Sequence, residues 1–264
     1  RHENRSRPGT SCGPIHRHLE KQVMKKKLLL SVIVPAYNEE LHLLENLIKI
    51  KNSFESNSFS DYEIIVCDNN STDNTPIVAK DFGAKVVFES FNQISKARNK
   101  GASIANGEWL VFIDADSWPS KYLVKTLLDK ISQNDTIAGS SIVQFVSSPF
   151  WWRATWKFTN ISMPLLNLTP TGAFMFCKRT VFNAIGGFNE DIFAFEDLDF
   201  SYAIRKYSKS NDKKFTVIRE PIYTSSRRAN NLKPRDLVKI AVQLSTHGKS
   251  TLKDKSNFSQ WYSR

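Results

Sequence analysis

The sequence predicts an α/β fold, with a mostly parallel central sheet flanked by helices. Two observations carry that prediction. Short β-rich apolar runs alternate with segments of helical periodicity, which implies parallel strands covered by helices on both faces. Polar clusters also follow three of the runs: Tyr37-Asn38-Glu39, Asp68-Asn69-Asn70 and Asp114-Ala115-Asp116. Open sheets of this kind bind ligands outside the carboxyl ends of their strands, so these clusters mark a candidate site.

The elements follow in order. LLLSVIVPA (28–36) reads as a buried strand. EELHLLENLIKI follows, with Leu41, Leu44, Leu47 and Ile48 at helical spacing. YEIIVCD (62–68) is a second strand, and Thr72 or Asp73 is expected to cap the helix carrying Ile77, Val78 and Phe82. AKVVFES (84–90) is a third strand, residues 94–105 a helix ending near Gly107, and WLVFI (109–113) a fourth strand. A helix is expected to start near Pro119. IAGSSIVQFV (137–146) reads as a strand, 171–191 as strand, helix and Gly-Gly turn, and 195–207 as a helix opening with acids at its positive end. Gly186 and Gly187 suit the tight turn and Gly172 a close backbone approach.

Composition bounds the function classes. The chain has 264 residues, 41% of them hydrophobic, which suits one large domain or two small ones with a real core. Three cysteines, Cys12, Cys67 and Cys177, show neither metal spacing nor a disulfide framework, which suits a reducing compartment or simply unpaired thiols. The net charge of +11 is unevenly spread: residues 28–204 hold fourteen Lys/Arg against twenty Asp/Glu, whereas residues 205–264 hold fifteen against four. An acidic body with a basic end suits contact with anions at that end. It does not suit a nucleic-acid binder, since no such module is visible and the body would repel a phosphate backbone. Residues before Met24 read as upstream sequence outside the fold, and the Lys-rich run after it breaks at Pro35 without a cleavage site, so a signal peptide is not expected. No window approaches the ~18 apolar residues of a membrane span.

The stretch WLVFIDADSWP (109–119) raises a chemical question. Burying a carboxylate costs several kcal/mol, of order ~2–7 even for neutral polar groups, unless something pairs with it. Asp114 and Asp116 lie two apart and reach the same side. Together they suit a hard divalent cation, Mg or Mn, which takes a few protein oxygens and completes its shell with substrate phosphates. D-x-D by itself is a common tripeptide, and the plain alternative is a pair of acids capping the next helix.

Four blocks, in order along most of residues 28–228, resemble the inverting glycosyltransferases of family 2, which have the GT-A fold: SVIVPAYNEE, IIVCDNNSTDNT, ISKARNKGASIANGEWLVFIDADSWP and GAFMFCKRTVFNAIGGFNEDIFAFEDLDFSYAIRK. The resemblance implies a Rossmann-like nucleotide-diphospho-sugar transferase and assigns roles. Pro35, Ala36, Tyr37 and Glu39 would line the nucleoside pocket, with Asp68 near the base. Asn69 stands where many relatives have a second acid, and an amide can still accept a hydrogen bond from a pyrimidine N–H. Lys96 and Arg98 would approach the donor. Asp114 would contact ribose or metal-bound water, and Asp116 the metal. Glu196-Asp197 matches the ED motif, with Asp197 the general base and Asp199 a helix-surface acid. Arg227 and Arg228 would grip the diphosphate, and His247 is a candidate to complete a metal shell. Trp151, Trp152 and Trp156 suit sugar stacking, a membrane interface or core packing.

This reading divides the chain into a disordered or upstream segment (1–27), a nucleotide-sugar-binding half (28–135), an acceptor-binding half (136–230) and a basic helical C-terminal extension (231–264). The expected activity moves one sugar from a UDP- or GDP-sugar to a glycan or lipid-linked acceptor in cell-envelope glycan synthesis. The expected place is the cytoplasm, with peripheral contact at the inner membrane face through the basic C-terminus. Competing readings are a silent nucleotide-binding member or scaffold, and a sugar-phosphate nucleotidyltransferase. The latter wants a Gly-rich basic loop where this chain has PAYNEE.

Overall fold

A computed structural model describes residues 29–146, 148, 150–165, 172–226 and 252–255. The amino-terminal half runs β1 (Leu30–Ala36), α1 (Leu43–Glu55), β2 (Tyr62–Asp68), α2 (Thr75–Asp81), β3 (Lys85–Phe88), α3 (Ile94–Ser103), β4 (Trp109–Ile113), β5 (Ser117–Pro119) and α4 (Lys121–Ile131). The rest runs β6 (Thr136–Val146), α5 (Phe150–Leu165), β7 (Phe174–Lys178), α6 (Arg179–Ile185), α7 (Glu196–Ser210) and β8 (Lys214–Ser225). Eight strands form one sheet in the order β3-β2-β1-β4-β7-β6-β8-β5. The pairings β1 with β2, β1 with β4, β2 with β3 and β6 with β8 are parallel. Strand β7 is antiparallel to both neighbours, and β5 to β8. The carboxyl ends of β1, β2, β3, β4, β6 and β8 and the amino end of β7 therefore share one end of the sheet.

Apolar burial fixes the two faces. One face packs β1 and β4 side chains such as Val32, Val34, Val111 and Ile113 against Leu43, Leu47, Ile50 and Phe54 of α1 and Leu123, Val124 and Leu127 of α4. The other packs Ile33, Leu110 and Phe112 against Phe182, Phe188, Phe200 and Ile204. There the Phe188 and Phe200 rings stack at 3.9 Å and Phe112 meets Phe188 edge-on at 5.0 Å. Cys67 and Cys177 are free and buried in β2 and β7, and burial pushes the Cys67 thiol up to about 12. They are packing residues rather than reactive thiols.

Several expectations are corrected. The buried stripe of α1 is Leu43, Leu47, Ile50 and Phe54; of the four residues proposed from spacing only Leu47 is buried, while Leu41, Leu44 and Ile48 are exposed. The helix begins at Leu43 rather than at the acids, so the spacing was read from the wrong starting residue. Pro119 does not start a helix. It ends β5, which pairs with β8, and Ser120 caps α4 by accepting the Leu123 N–H at 3.1 Å. The residue at the cap of α2 is Asn74, although Asp73 accepts the Thr75 N–H at 2.9 Å. The third strand is shorter than expected, Lys85–Phe88. Strand β8 has no counterpart in the sequence reading.

Among the described residues no helix is long and apolar enough to cross a membrane. Close packing makes one testable demand in the sheet. A Cβ on Gly139 of β6 would sit 2.5 Å from Cζ of Phe176 and would also press on the Thr216 carbonyl. Gly139→Ala is expected to destabilise the fold by about 1–3 kcal/mol through overpacking, read as a lower urea midpoint.

Candidate active site

The loops after β1 and β2 are built as one unit. The Asn69 N–H donates to the Ala36 carbonyl at 2.8 Å, Asn38 N–H to Ser71 Oγ at 3.1 Å, and Glu39 N–H to Thr75 Oγ1 at 2.7 Å. In return Thr72 N–H donates to Asn38 Oδ1 at 2.9 Å and Asn74 N–H to Glu40 Oε2 at 2.9 Å. Asn38 and Asn70 take left-handed backbone, φ 49° and 65°, which asparagine tolerates better than most residues. Asp68, buried at the end of β2, accepts the Ser71 N–H at 3.1 Å. Asn69 Oδ1 accepts the Gln93 N–H at 3.2 Å, so its amide first serves to seat α3. Pro35, Ala36 and Glu39 are buried, and Tyr37 is half-buried beside them.

The second group gathers where β4 ends and α7 begins. Arg98 of α3 is 1% exposed. Its Nη2 donates to Asp114 Oδ1 at 2.9 Å and to the Gly172 carbonyl at 3.3 Å, and its Nη1 donates to Glu196 Oε1 at 2.9 Å. The guanidinium also lies 5.0 Å from the centre of the Phe188 ring. The Asp114 N–H donates to the Ala173 carbonyl at 3.3 Å, so the β4 end and the β7 start are joined. Gly172 has a steric reason to be glycine: a Cβ there would lie 2.5 Å from Asp197 Oδ2 and 2.6 Å from Asp197 Cβ. Phe195, just ahead of the Glu196-Asp197 pair, has φ 58°, unusual for an aromatic residue. Backbone strain of this kind costs about 1–3 kcal/mol and persists where surrounding structure enforces it.

Charge in this cluster is unbalanced, with one guanidinium facing Asp114, Glu196 and Asp197. Burial pushes Glu196 and Asp197 above the ordinary carboxylate range, although Arg98 pulls both down. Burial works against the Arg98 charge, but Asp114, Glu196 and Asp197 outweigh it and hold the guanidinium ionised. Asp197 accepts the Leu198 N–H at 2.9 Å and keeps part of its surface open to solvent. Asp116 is 2% exposed; its Oδ1 takes a long 3.3 Å bond from the Ser117 hydroxyl, and its carbonyl accepts the Ser225 N–H at 3.0 Å.

The structure thus brings together Arg98, Asp114, Gly172, Glu196 and Asp197, and sets Asp116 beside β8. Lys96 instead pairs with Glu190 at 3.9 Å on the half-exposed side of α3. Trp152 is buried and Trp156 half-buried, in contact with Phe145 at 5.8 and 5.1 Å. The Trp151 side chain, Arg227, Arg228 and His247 lie outside the described residues, as do 1–28 and most of 231–264. Thr75 and Gln93, both fully buried, were missed. Thr75 joins the first two loops, and Gln93 Nε2 donates to the Glu190 and Ile192 carbonyls at 2.8 Å, tying α3 to the segment before α7.

A family model described as glycosyl transferase family 2 matches residues 31–186. Among curated proteins the chain is 30% identical over 111 residues to an uncharacterized glycosyltransferase, EpsJ, of Bacillus subtilis, covering 40% of this chain and 31% of that protein. It is 31% identical over 143 residues to the glycosyltransferase AglE of Haloferax volcanii, covering 50% and 46%. The chain therefore spans less than half the length of these relatives. Among solved structures, S. aureus TarS 1-349 in complex with UDP-GlcNAc aligns with a TM-score of 0.60 at 22% identity, over 89% of this chain and 73% of that one. The mannosyltransferase PcManGT from Pyrobaculum calidifontis, in complex with GDP-Man and Mn2+, aligns with a TM-score of 0.60 at 18% identity, over 88% and 72%. These likenesses establish the GT-A fold.

Proposed function

We propose that this chain, which belongs to glycosyltransferase family 2, transfers one sugar from a nucleoside-diphosphate sugar to an acceptor hydroxyl with inversion at the anomeric carbon. The observation that carries the reading is the bridge from Asp114 through Arg98 to Glu196. It fixes the acids at the end of β4 against the acids at the head of α7, so two acidic elements of separate origin face one site.

The step balances simply. Asp197 takes the proton of the acceptor hydroxyl, and the oxygen forms a bond to the anomeric carbon. The bond from that carbon to the diphosphate oxygen breaks, and the nucleoside diphosphate leaves with the electron pair. The loops after β1 and β2 would hold the nucleoside, with Asp68 and Asn69 nearest the base. UDP- and GDP-sugars both suit such a pocket, since the solved relatives bind UDP-GlcNAc and GDP-Man.

The donor set fits magnesium or manganese. As the resemblance implies, Asp116 would be the direct protein ligand, and Asp114, held by Arg98 through Oδ1, would meet ribose or metal-bound water. Among the described residues no group of three or more His, Cys, Asp and Glu is arranged to hold a metal ion by itself. A site with one or two carboxylates is the pattern of ions that complete their shell with substrate phosphates and water. When bound, the cation would neutralise charge building on the leaving diphosphate.

The test is nucleotide release from a panel of UDP- and GDP-sugars, with and without manganese. One donor is expected to release nucleotide only with the metal, and Asp116→Ala to lower that rate at least about 100-fold, as loss of a transition-state charge clamp does. Release that ignores both manganese and Asp116→Ala would remove the metal assignment. Absence of metal-dependent nucleotide binding by calorimetry would favour a silent binding role.

A further inference from the structure

We propose that Leu252–Lys255 of the basic carboxyl-terminal segment form a clasp that positions the general base, and that Lys255 is its positioning residue. The inference rests on the transferase reading and gives the segment ahead of Asp197 a second support.

The connection between α6 and α7 delivers Glu196 and Asp197 at the first turn of α7, and the residue before them, Phe195, stands in left-handed backbone. Strain of that kind persists where the surrounding structure fixes the chain more than once. Helix α3 and the residue at its head supply one set of holds. Gln93 Nε2 donates to the Glu190 and Ile192 carbonyls at 2.8 Å. Asn99 Nδ2 donates to the Phe188 carbonyl at 2.9 Å, and its Oδ1 accepts the Phe188 N–H at 2.9 Å. Residues 252–255 supply a second set. The Phe193 N–H donates to the Leu252 carbonyl at 2.7 Å, and Lys253 Nζ stands 3.6 Å from Asp191 Oδ2.

The clasp is also attached to the loop after β3. Lys255 Nζ donates to the Asn92 carbonyl at 3.1 Å and lies 5.7 Å from the centre of the Phe91 ring. Lys96 approaches the same ring at 4.8 Å, and the Phe91 and Phe193 rings are 6.2 Å apart. That loop seats Asn69 of the proposed nucleoside pocket: Asn69 Nδ2 donates to Asn92 Oδ1 at 3.4 Å, and Asn69 Oδ1 accepts the Gln93 N–H at 3.2 Å. One short piece of chain therefore holds both the loop beside the nucleoside and the segment that leads to Asp197. A chain that holds both sets their separation, and a reacting group misplaced by about 1 Å can cost about 100-fold in rate.

The charge pattern agrees. Residues 205–264 hold fifteen Lys/Arg against four Asp/Glu, and at 252–255 this basic end meets the acidic body of the same chain. The Lys253 pair adds little, because both of its side chains are more than half exposed. Lys255 is half-buried and bonds a backbone carbonyl, so it carries the attachment.

Hydrogen exchange over residues 189–195, followed by mass spectrometry on the full chain, reads the clasp directly. Lys255→Met is expected to raise exchange there about fivefold, the scale of one lost hydrogen bond. In the donor-panel assay the same variant should lower kcat about 10-fold, with donor KM and the calorimetric stoichiometry of nucleotide binding within about twofold of wild type. Lys255→Arg, which can still donate to the Asn92 carbonyl, should restore exchange and kcat together. Lys125→Met, at an exposed position on α4, should change neither. Unchanged exchange, or unchanged kcat, in Lys255→Met would overturn the proposal. So would a fall in kcat matched by an equal fall in nucleotide stoichiometry, which marks a loss of folded protein. Exchange that responds to Lys255→Met in a chain that releases nucleotide from no donor would keep the clasp and reject the transferase reading.

Discussion

Asp197→Asn is expected to lower the transfer rate about 10²–10⁴-fold while leaving nucleotide binding by calorimetry within about twofold of wild type, the usual cost of losing a general base without losing the donor site. The substitution keeps shape and hydrogen bonding near Gly172, so a packing defect would not account for a loss of that size. Only the unprotonated carboxylate can take the hydroxyl proton, and burial holds Glu196 and Asp197 above the ordinary carboxylate range. The rate should therefore fall as pH drops through that raised range, above the usual carboxylate values. Glu196→Gln removes a neighbouring negative charge and frees the guanidinium to act on Asp197. It should move the acidic limb to lower pH. A profile flat from pH 5 to 8 in the wild type, or full activity in Asp197→Asn, would move the base to another residue.

The two faces of this site were unequally legible. Strands β1, β2 and β4 announced themselves because each is an apolar β-rich run, and polar residues had to follow where the sheet ended. β8 did not, because Arg219, Glu220 and Pro221 interrupt its apolar residues and its pairing with β6 is irregular. β5 is only three residues long and exists because β8 offers it an edge. Strand pairing of this kind is tertiary context, invisible in a local window. The α1 stripe was misread for a related reason: 3.6-residue periodicity gives several overlapping stripes in a leucine-rich segment, and only the sheet decides which is buried.

The acids were legible and their common partner was not. Asp114, Asp116, Glu196 and Asp197 could each be singled out from sequence, by position or by resemblance. Arg98 was singled out too, but for the donor. Its partner Glu196 is 98 residues away, and no local pattern joins them. What joins them is physical necessity, because a guanidinium cannot be buried alone. The carboxylate surplus then explains why this arginine, rather than a lysine, occupies the position. Its planar fork serves Asp114, Glu196 and the Gly172 carbonyl at once, which a single ammonium does less well.

That necessity sets the largest expected effect on stability. Arg98→Met leaves buried Glu196 clustered with the partly buried Asp114 and Asp197 and no cation among them, and removing one partner of a buried ion pair costs about 3–5 kcal/mol. The urea midpoint at pH 8 should fall accordingly. The pH dependence gives the cause away. Without the guanidinium, the folded pKa values of these carboxyls rise further above their unfolded values, so the folded state binds more protons than the unfolded one. Stability then falls as pH rises, by the linkage relation. The deficit of Arg98→Met relative to wild type should accordingly shrink between pH 8 and pH 5. Arg98→Lys, which restores the charge without the fork, should recover part of the loss at pH 8. Arg98→Met combined with Glu196→Gln should also lose less than Arg98→Met alone, because one buried charge is gone. A deficit that stays constant with pH and ignores Glu196→Gln would mean that Arg98 stabilises through its packing on Phe188 rather than through the acids it joins.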